Sequence, residues 1–299
     1  MNNDILKSRS SLGCVSAALN ILSLNFSKIF KATWMWVLMA SLVAGLSAFI
    51  KTPASDTSTT PMAEALWLGL TILVSIVNIL LNTRIISGVI VMFTNQTQKK
   101  AFKKVLMTWV LSLAITLALG AVIILAQTGI ATFEAVQQLP PTTLIILQSA
   151  ILCVCMLIVA LLLSPFIYSV TKYIVVPDLK FSHIVGSNYH HGLRRLGFLF
   201  STALAMVLID ALIMMLMCIP GIVTNMASNI DQAGVLTGDE SGLPTAFPWL
   251  NFLSTTLLMI VVGYLMIWGT LVCIYAYGSV EATCNKLKDT DKSENINNQ

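Results

Sequence analysis

Asp210 is the one charged residue in the apolar run from Leu196 to Val223. A carboxylate at the middle of a bilayer costs about 3 kcal/mol on insertion scales, so such a residue faces other helices or a cavity. Two kinds of chemistry suit it. It can relay a proton or a cation, or it can serve as a protonated or hydrogen-bonded carboxyl that orients helices. A second polar group lies in another apolar run. Thr71, Ser75, Asn78 and Asn82 follow one another at steps of four, three and four, which places them on one helix face. That stripe can line a pathway, or it can bind neighbouring helices through hydrogen bonds worth about 0.6–2 kcal/mol each. Arg84 falls off the stripe on a straight helix and is expected to reach toward lipid headgroups rather than to Asp210. Pro165 follows Ser164 inside a further apolar run. Its missing N–H makes it a hinge candidate.

Other chemistry finds little support. The three histidines, His183, His190 and His191, share one short loop with Asp178. Adjacent histidines cannot share a helix face, and the spacing to the acid suits no metal. Cys153-Val154-Cys155 is too close and too apolar for zinc. No phosphate-cradling glycine loop, nucleophile elbow or paired carboxylates occur. The expectation is therefore no catalytic residue, no metal and no cofactor.

These residues are carried by an unusually apolar chain. It is 57% hydrophobic and 10% charged, with a mean hydropathy of +0.85, whereas a soluble domain carries about 25% charged residues. Six runs are long enough to cross a membrane as helices: Ala32–Ile50, Ala65–Phe93, Val105–Ala126, Thr142–Val176, Leu196–Val223 and Trp249–Tyr277. A crossing takes roughly 20 residues. The predicted fold is all-α, an integral membrane protein of six transmembrane helices in three hairpins. Residues 1–31 read as a cytoplasmic tail and an amphipathic interfacial helix, residues 32–285 as the membrane bundle, and residues 286–299 as a polar, disordered tail.

Orientation follows from the cations. Of the 17 Lys and Arg residues, only Lys51 falls in a connection between spans one and two, three and four, or five and six. Basic loops stay in the cytoplasm, so both ends are expected there. Lys28, Lys31, Arg84, Lys99, Lys100, Lys103, Lys104, Arg194 and Arg195 are expected to meet anionic headgroups, at about 1 kcal/mol per residue. Their short clusters argue against nucleic acid as a partner. Before span one, Leu12, Val15, Leu19, Leu22, Phe26 and Ile29 recur at helical spacing, with Ser16, Asn20, Ser23 and Ser27 on another face. That helix can lie in the inner interface or under the bundle.

Basic lead-in segments recur before the odd-numbered spans, at Lys28–Lys31, Lys100–Lys103 and His191–Arg195, and prolines precede the return spans. Three similar hairpins explain the pattern. Small-residue faces at Ala40, Ala44 and Ala48, with Ser41 and Gly45, and at Ser112, Thr116 and Gly120, suit close helix contacts within the chain or between chains.

With the Ser164-Pro165-Phe166 break, these lead-in segments give residues 12–285 a hydropathy pattern that resembles a bacterial six-span membrane domain. That domain occurs in stand-alone proteins and fused to some glycerophosphodiester phosphodiesterases. The resemblance implies a bacterial inner-membrane bundle and carries over no functional residue. The expected function is a non-enzymatic membrane component that works through helix packing with lipids, a membrane-protein partner or a second copy. The alternative is a transporter or channel for a small solute or ion that uses Asp210 and the span-two stripe.

Overall fold

The structure is a computed structural model that describes residues 5–46, 61–94, 96–131, 140–238, 242–244 and 246–297. Lys51 and Ala48 lie outside the described residues, as do the side chains of 286–297. Nine α-helices occur among the described residues: α1 (Ser11–Leu24), α2 (Phe26–Leu46), α3 (Pro61–Phe93), α4 (Gln98–Ala131), α5 (Pro141–Val175), α6 (Ser187–Leu193), α7 (Leu196–Met217), α8 (Ile219–Leu236) and α9 (Phe247–Asn297). A 3-10 turn at Phe181–His183 precedes α6.

Six of these helices contain a stretch long and apolar enough to cross a membrane: Phe26–Leu46, Ala65–Phe93, Gln98–Leu125, Ile146–Val175, Leu196–Met217 and Phe247–Asn285. The chain is an all-α, multi-pass membrane protein. Helix is the form that closes every backbone hydrogen bond inside one segment, which lipid demands. Two buried hydroxyls of α2 follow the same rule. Thr33 and Ser41 donate back to the carbonyls of Ile29 and Val37 at 2.7 and 2.8 Å, so their burial leaves no open donor.

Several boundaries differ from the sequence reading. The segments Lys28–Lys31 and Lys100–Lys103 are early turns of α2 and α4 themselves, because nothing in them breaks a helix already begun. Only the third lead-in includes a separate helix, α6. Span five stops at Met217, and the stretch expected as its end and the following loop forms α8. Pro220, in the first turn of α8, suits a fresh start because its missing N–H lacks a helical partner there anyway. The last helix continues through Asn297, over much of the stretch expected as a disordered tail. Extending an existing helix adds one hydrogen bond per residue fixed and needs no new nucleus.

Contacts divide the chain into two compact units. One comprises Met1–Cys14, Lys103–Leu204 and Cys273–Gln299, and the other Val15–Phe102 and Ala205–Val272. In the second unit α2 and α3 pack side by side, and α2 meets the first half of α9 where small residues permit. A side chain at Gly45 would collide with Thr256, and one at Gly263 would approach Val37 to 2.9 Å. Ala40, Ser41, Ala44 and Gly45 are all buried, so this small face serves contacts inside the chain. The matching face of α4 does not. Ser112 and Thr116 are exposed, and Gly120 has open space around it.

In the first unit α6 and the 3-10 turn pack on α5, and they do so at its proline. Tyr189 Oη donates to Leu162 O at 2.9 Å, and its ring lies 4.9 Å from that of Phe166. A Cβ on Gly192 would stand 2.8 Å from Pro165 O. The hinge expected at Pro165 is thus covered by α6, which binds a carbonyl three residues before the proline.

Candidate functional site

The first unit holds a connected polar cluster near the end of α5 and on the second half of α9. Tyr168 and Lys172 stand one turn apart on α5, as do Tyr277 and Glu281 on α9. Each pair therefore lies on one face of its helix. Tyr168 Oη donates to Glu281 Oε2 at 2.9 Å. Lys172 Nζ donates to Tyr168 Oη at 2.8 Å and stands 3.5 Å from both carboxylate oxygens. The rings of Tyr168 and Tyr277 lie 5.7 Å apart. Tyr168 has no exposed surface, while the Lys172 and Glu281 side chains are 20% and 28% exposed. The phenol thus accepts from the cation and donates to the anion. Both charges are paired and the hydroxyl is used in both directions, so the cluster ties α5 to α9.

Beside it, Lys104 departs from its expected place at the headgroups. It is buried. Its Nζ donates to Tyr173 O at 2.8 Å and to Val176 O, and it lies 5.1 Å from the centre of the Tyr173 ring. These carbonyls belong to the last turn of α5 and to the residue that caps it, where helical partners run out and the helix dipole is negative. Lys104 fills that need, which outweighs solvation of one more surface cation.

The residues ahead of α1 are also held. Ser279 Oγ accepts the Arg9 N–H at 2.8 Å and donates to Arg9 O at 2.9 Å. Arg9 lies over the Tyr275 ring at 4.8 Å. A side chain at Gly278 would collide with Ile5 O, so only glycine admits the strand of backbone that crosses α9 there. Cys14 is fully buried. Burial pushes its thiol up to about 11, against the opposing pull of Arg9 and a hydrogen bond with Ser279.

The second unit holds Asp210 and the polar stripe of α3, and it does not gather them. Thr71 and Ser75 donate to the carbonyls of Trp67 and Thr71 at 2.9 and 2.8 Å. Asn82 Nδ2 donates to Asn78 Oδ1 at 2.6 Å. The stripe thus satisfies much of itself along its own helix. Arg84 lies 5.4 Å from the Trp36 ring centre. Asp210 is half-buried, and its Oδ1 is shielded from solvent with no hydrogen-bond partner among the described residues.

Of the other residues expected at headgroups, Lys28, Lys31, Lys99, Lys100, Lys103 and Arg194 are exposed and Arg195 is half-buried. The three histidines are exposed, and no three His, Cys, Asp or Glu side chains converge among the described residues. Tyr168, Tyr173, Tyr277 and Glu281 escaped the sequence reading, and Lys172 entered it only as one of the 17 Lys and Arg residues. A signal existed: the steps of four, with opposite charges near the ends of two long spans. No family of known proteins matches this chain, and neither a curated protein nor a solved structure resembles it significantly.

Proposed function

We propose that this protein is a non-enzymatic component of the bacterial inner membrane, with both ends in the cytoplasm, that works through contacts with lipid and with a membrane-protein partner or a second copy. The observation that carries this reading is where the polar groups of the described spans are spent. Lys104 is committed to backbone carbonyls, Lys172 and Glu281 to Tyr168 and each other, Arg84 to Trp36, and Asn82 to Asn78. Groups occupied in this way hold helices together and are not themselves free to receive a solute. The outward face of Ser112, Thr116 and Gly120 adds support, because small residues let another helix come close. The reading keeps this chain with the bacterial six-span membrane domain that its hydropathy pattern resembles.

Purified protein in liposomes tests it. With an internal pH dye and an imposed potassium gradient, proton and potassium fluxes are expected to equal those of protein-free vesicles. Thr116→Cys in a background free of other cysteines is expected to crosslink to a partner or to a second copy in native membranes. Flux above that of protein-free vesicles, together with no crosslink, would remove the reading. Labelling of residues 99–104 from outside intact cells would reverse the orientation.

One observation favours a second reading, transport of a proton or small cation: the Asp210 oxygen without a partner among the described residues. Flux through wild type that disappears in Asp210→Asn, at unchanged thermal stability, would put transport in place of the first reading.

A further inference from the structure

We propose that α8 is an interfacial helix seated in the membrane leaflet opposite the basic ends of the spans, with its apolar side among the acyl chains. The proposal starts from the order of its residues. Ile219, Ile222, Val223, Met226 and Ile230 recur at steps of three, one, three and four, which is one helix face. All five are exposed, each by more than half of its surface. Thr224 and Asp231 stand on another side of the helix. Thr224 is buried, and its Oγ1 lies 3.4 Å from Asn251 Oδ1 in α9. Asp231 Oδ1 accepts the Gly242 N–H at 2.8 Å, which ties the following loop back to the helix. Asn225 and Asn229 are exposed beside the apolar face.

The helix is therefore inverted relative to a surface helix of a water-soluble protein. Thr224 and Asp231 turn toward its own protein, and the apolar stripe turns away. Such a stripe in water would be unfavourable, so its surroundings are apolar.

The chain's course names the occupant as lipid. The span Leu196–Met217 has 22 residues, enough at about 1.5 Å per residue to cross the hydrocarbon core. The chain therefore stands at a membrane surface when α8 begins, one residue after Cys218. Leu208, Leu212, Met215 and Leu216, on the preceding span, are strongly exposed. The stripe of α8 thus continues a surface already facing lipid. The helix carries no Lys or Arg, so it needs no anionic headgroup and relies on buried apolar area alone.

Two measurements test this on the full chain in phosphatidylcholine nanodiscs. Unmodified protein is irradiated with a lipid bearing a carbene precursor in its acyl chain, and adducts are mapped by mass spectrometry. Adducts on the stripe residues are expected, with Asn225 and Asn229 free of them. In a background free of other cysteines, spin labels at Met226→Cys and Ile230→Cys are expected to favour oxygen over a water-soluble nickel relaxant, and labels at Asn225→Cys and Asn229→Cys the reverse. Nickel access at positions 226 and 230 equal to that at 225 and 229 would put the stripe in water and overturn the proposal. So would labels at 226 and 230 that couple to a second copy, with no lipid adducts on the unmodified protein. If the cysteine-free background fails to fold, the carbene map on unmodified protein decides.

Discussion

Two places in this molecule hold carboxyl groups partly out of water, and they are built in opposite ways. Glu281 in the first unit faces Tyr168 and Lys172, each within reach of a hydrogen bond or an ion pair. Asp210 in the second unit has an oxygen that is shielded and unmatched among the described residues. The difference separates a polar group that holds helices together from one that strains its surroundings. A charge removed from water is tolerable when its partner is removed with it, and removing one member then leaves the other uncompensated. A polar group without a partner carries its desolvation cost in full.

Changes at the two carboxyls should therefore move stability in opposite directions. Glu281→Leu strands Lys172 and is expected to lower unfolding free energy in detergent by about 3 kcal/mol, with part of the loss restored in a double variant with Lys172→Leu. An unchanged unfolding temperature would mean that the cluster holds nothing together. Asp210→Leu should raise stability by about 2 kcal/mol, because it removes a polar group from the hydrocarbon depth. A loss instead would reveal a partner for Asp210 and erase the contrast.

Smaller changes sharpen the account of the first unit. Gly192→Ala forces a methyl group toward Pro165 O and is expected to cost about 1.5 kcal/mol, measured by the same unfolding assay. Tyr168→Phe keeps the ring and removes the bridging hydroxyl, for an expected loss of about 1 kcal/mol. A much larger loss would mean that the hydroxyl carries most of the cluster. The weakest effect concerns Cys14. Its thiol is raised from 9.0 to about 11 by burial, so the neutral form is favoured in the fold. Its stabilisation is fully present below the ordinary thiol value and fades as pH rises through about 11. Alkylation at pH 8, read residue by residue by mass spectrometry, should find Cys14 roughly a hundredfold slower than an ordinary thiol.

Much of the architecture was legible because lipid imposes a simple rule. Backbone groups must be satisfied within each crossing, so a long apolar run is enough to announce a helix. The span starting at Ala65 and ending at Phe93 agrees with the sequence reading at both ends. Ends that depend on competition between helix and interface were harder. α8 looked like the end of a span followed by a loop, because its apolar residues merge with those before Cys218. The candidate site was less legible still. Asp210 drew attention because a charge in an apolar run is visible in one dimension. Tyr168 and Glu281 are 113 positions apart, and no local pattern joins them.

Composition, apolar run length and the placement of cations determined by themselves that this chain is a helical membrane protein of six crossings, because hydration and hydrogen bonding act on each segment separately. Which polar side chains meet is another matter. That Lys104 ends α5 instead of reaching headgroups, that the α2 small face is buried while the α4 one is open, and that Glu281 has partners while Asp210 Oδ1 has none among the described residues were decided only by tertiary structure. Pairing energies depend on distances between segments, and those distances exist only after the helices have packed.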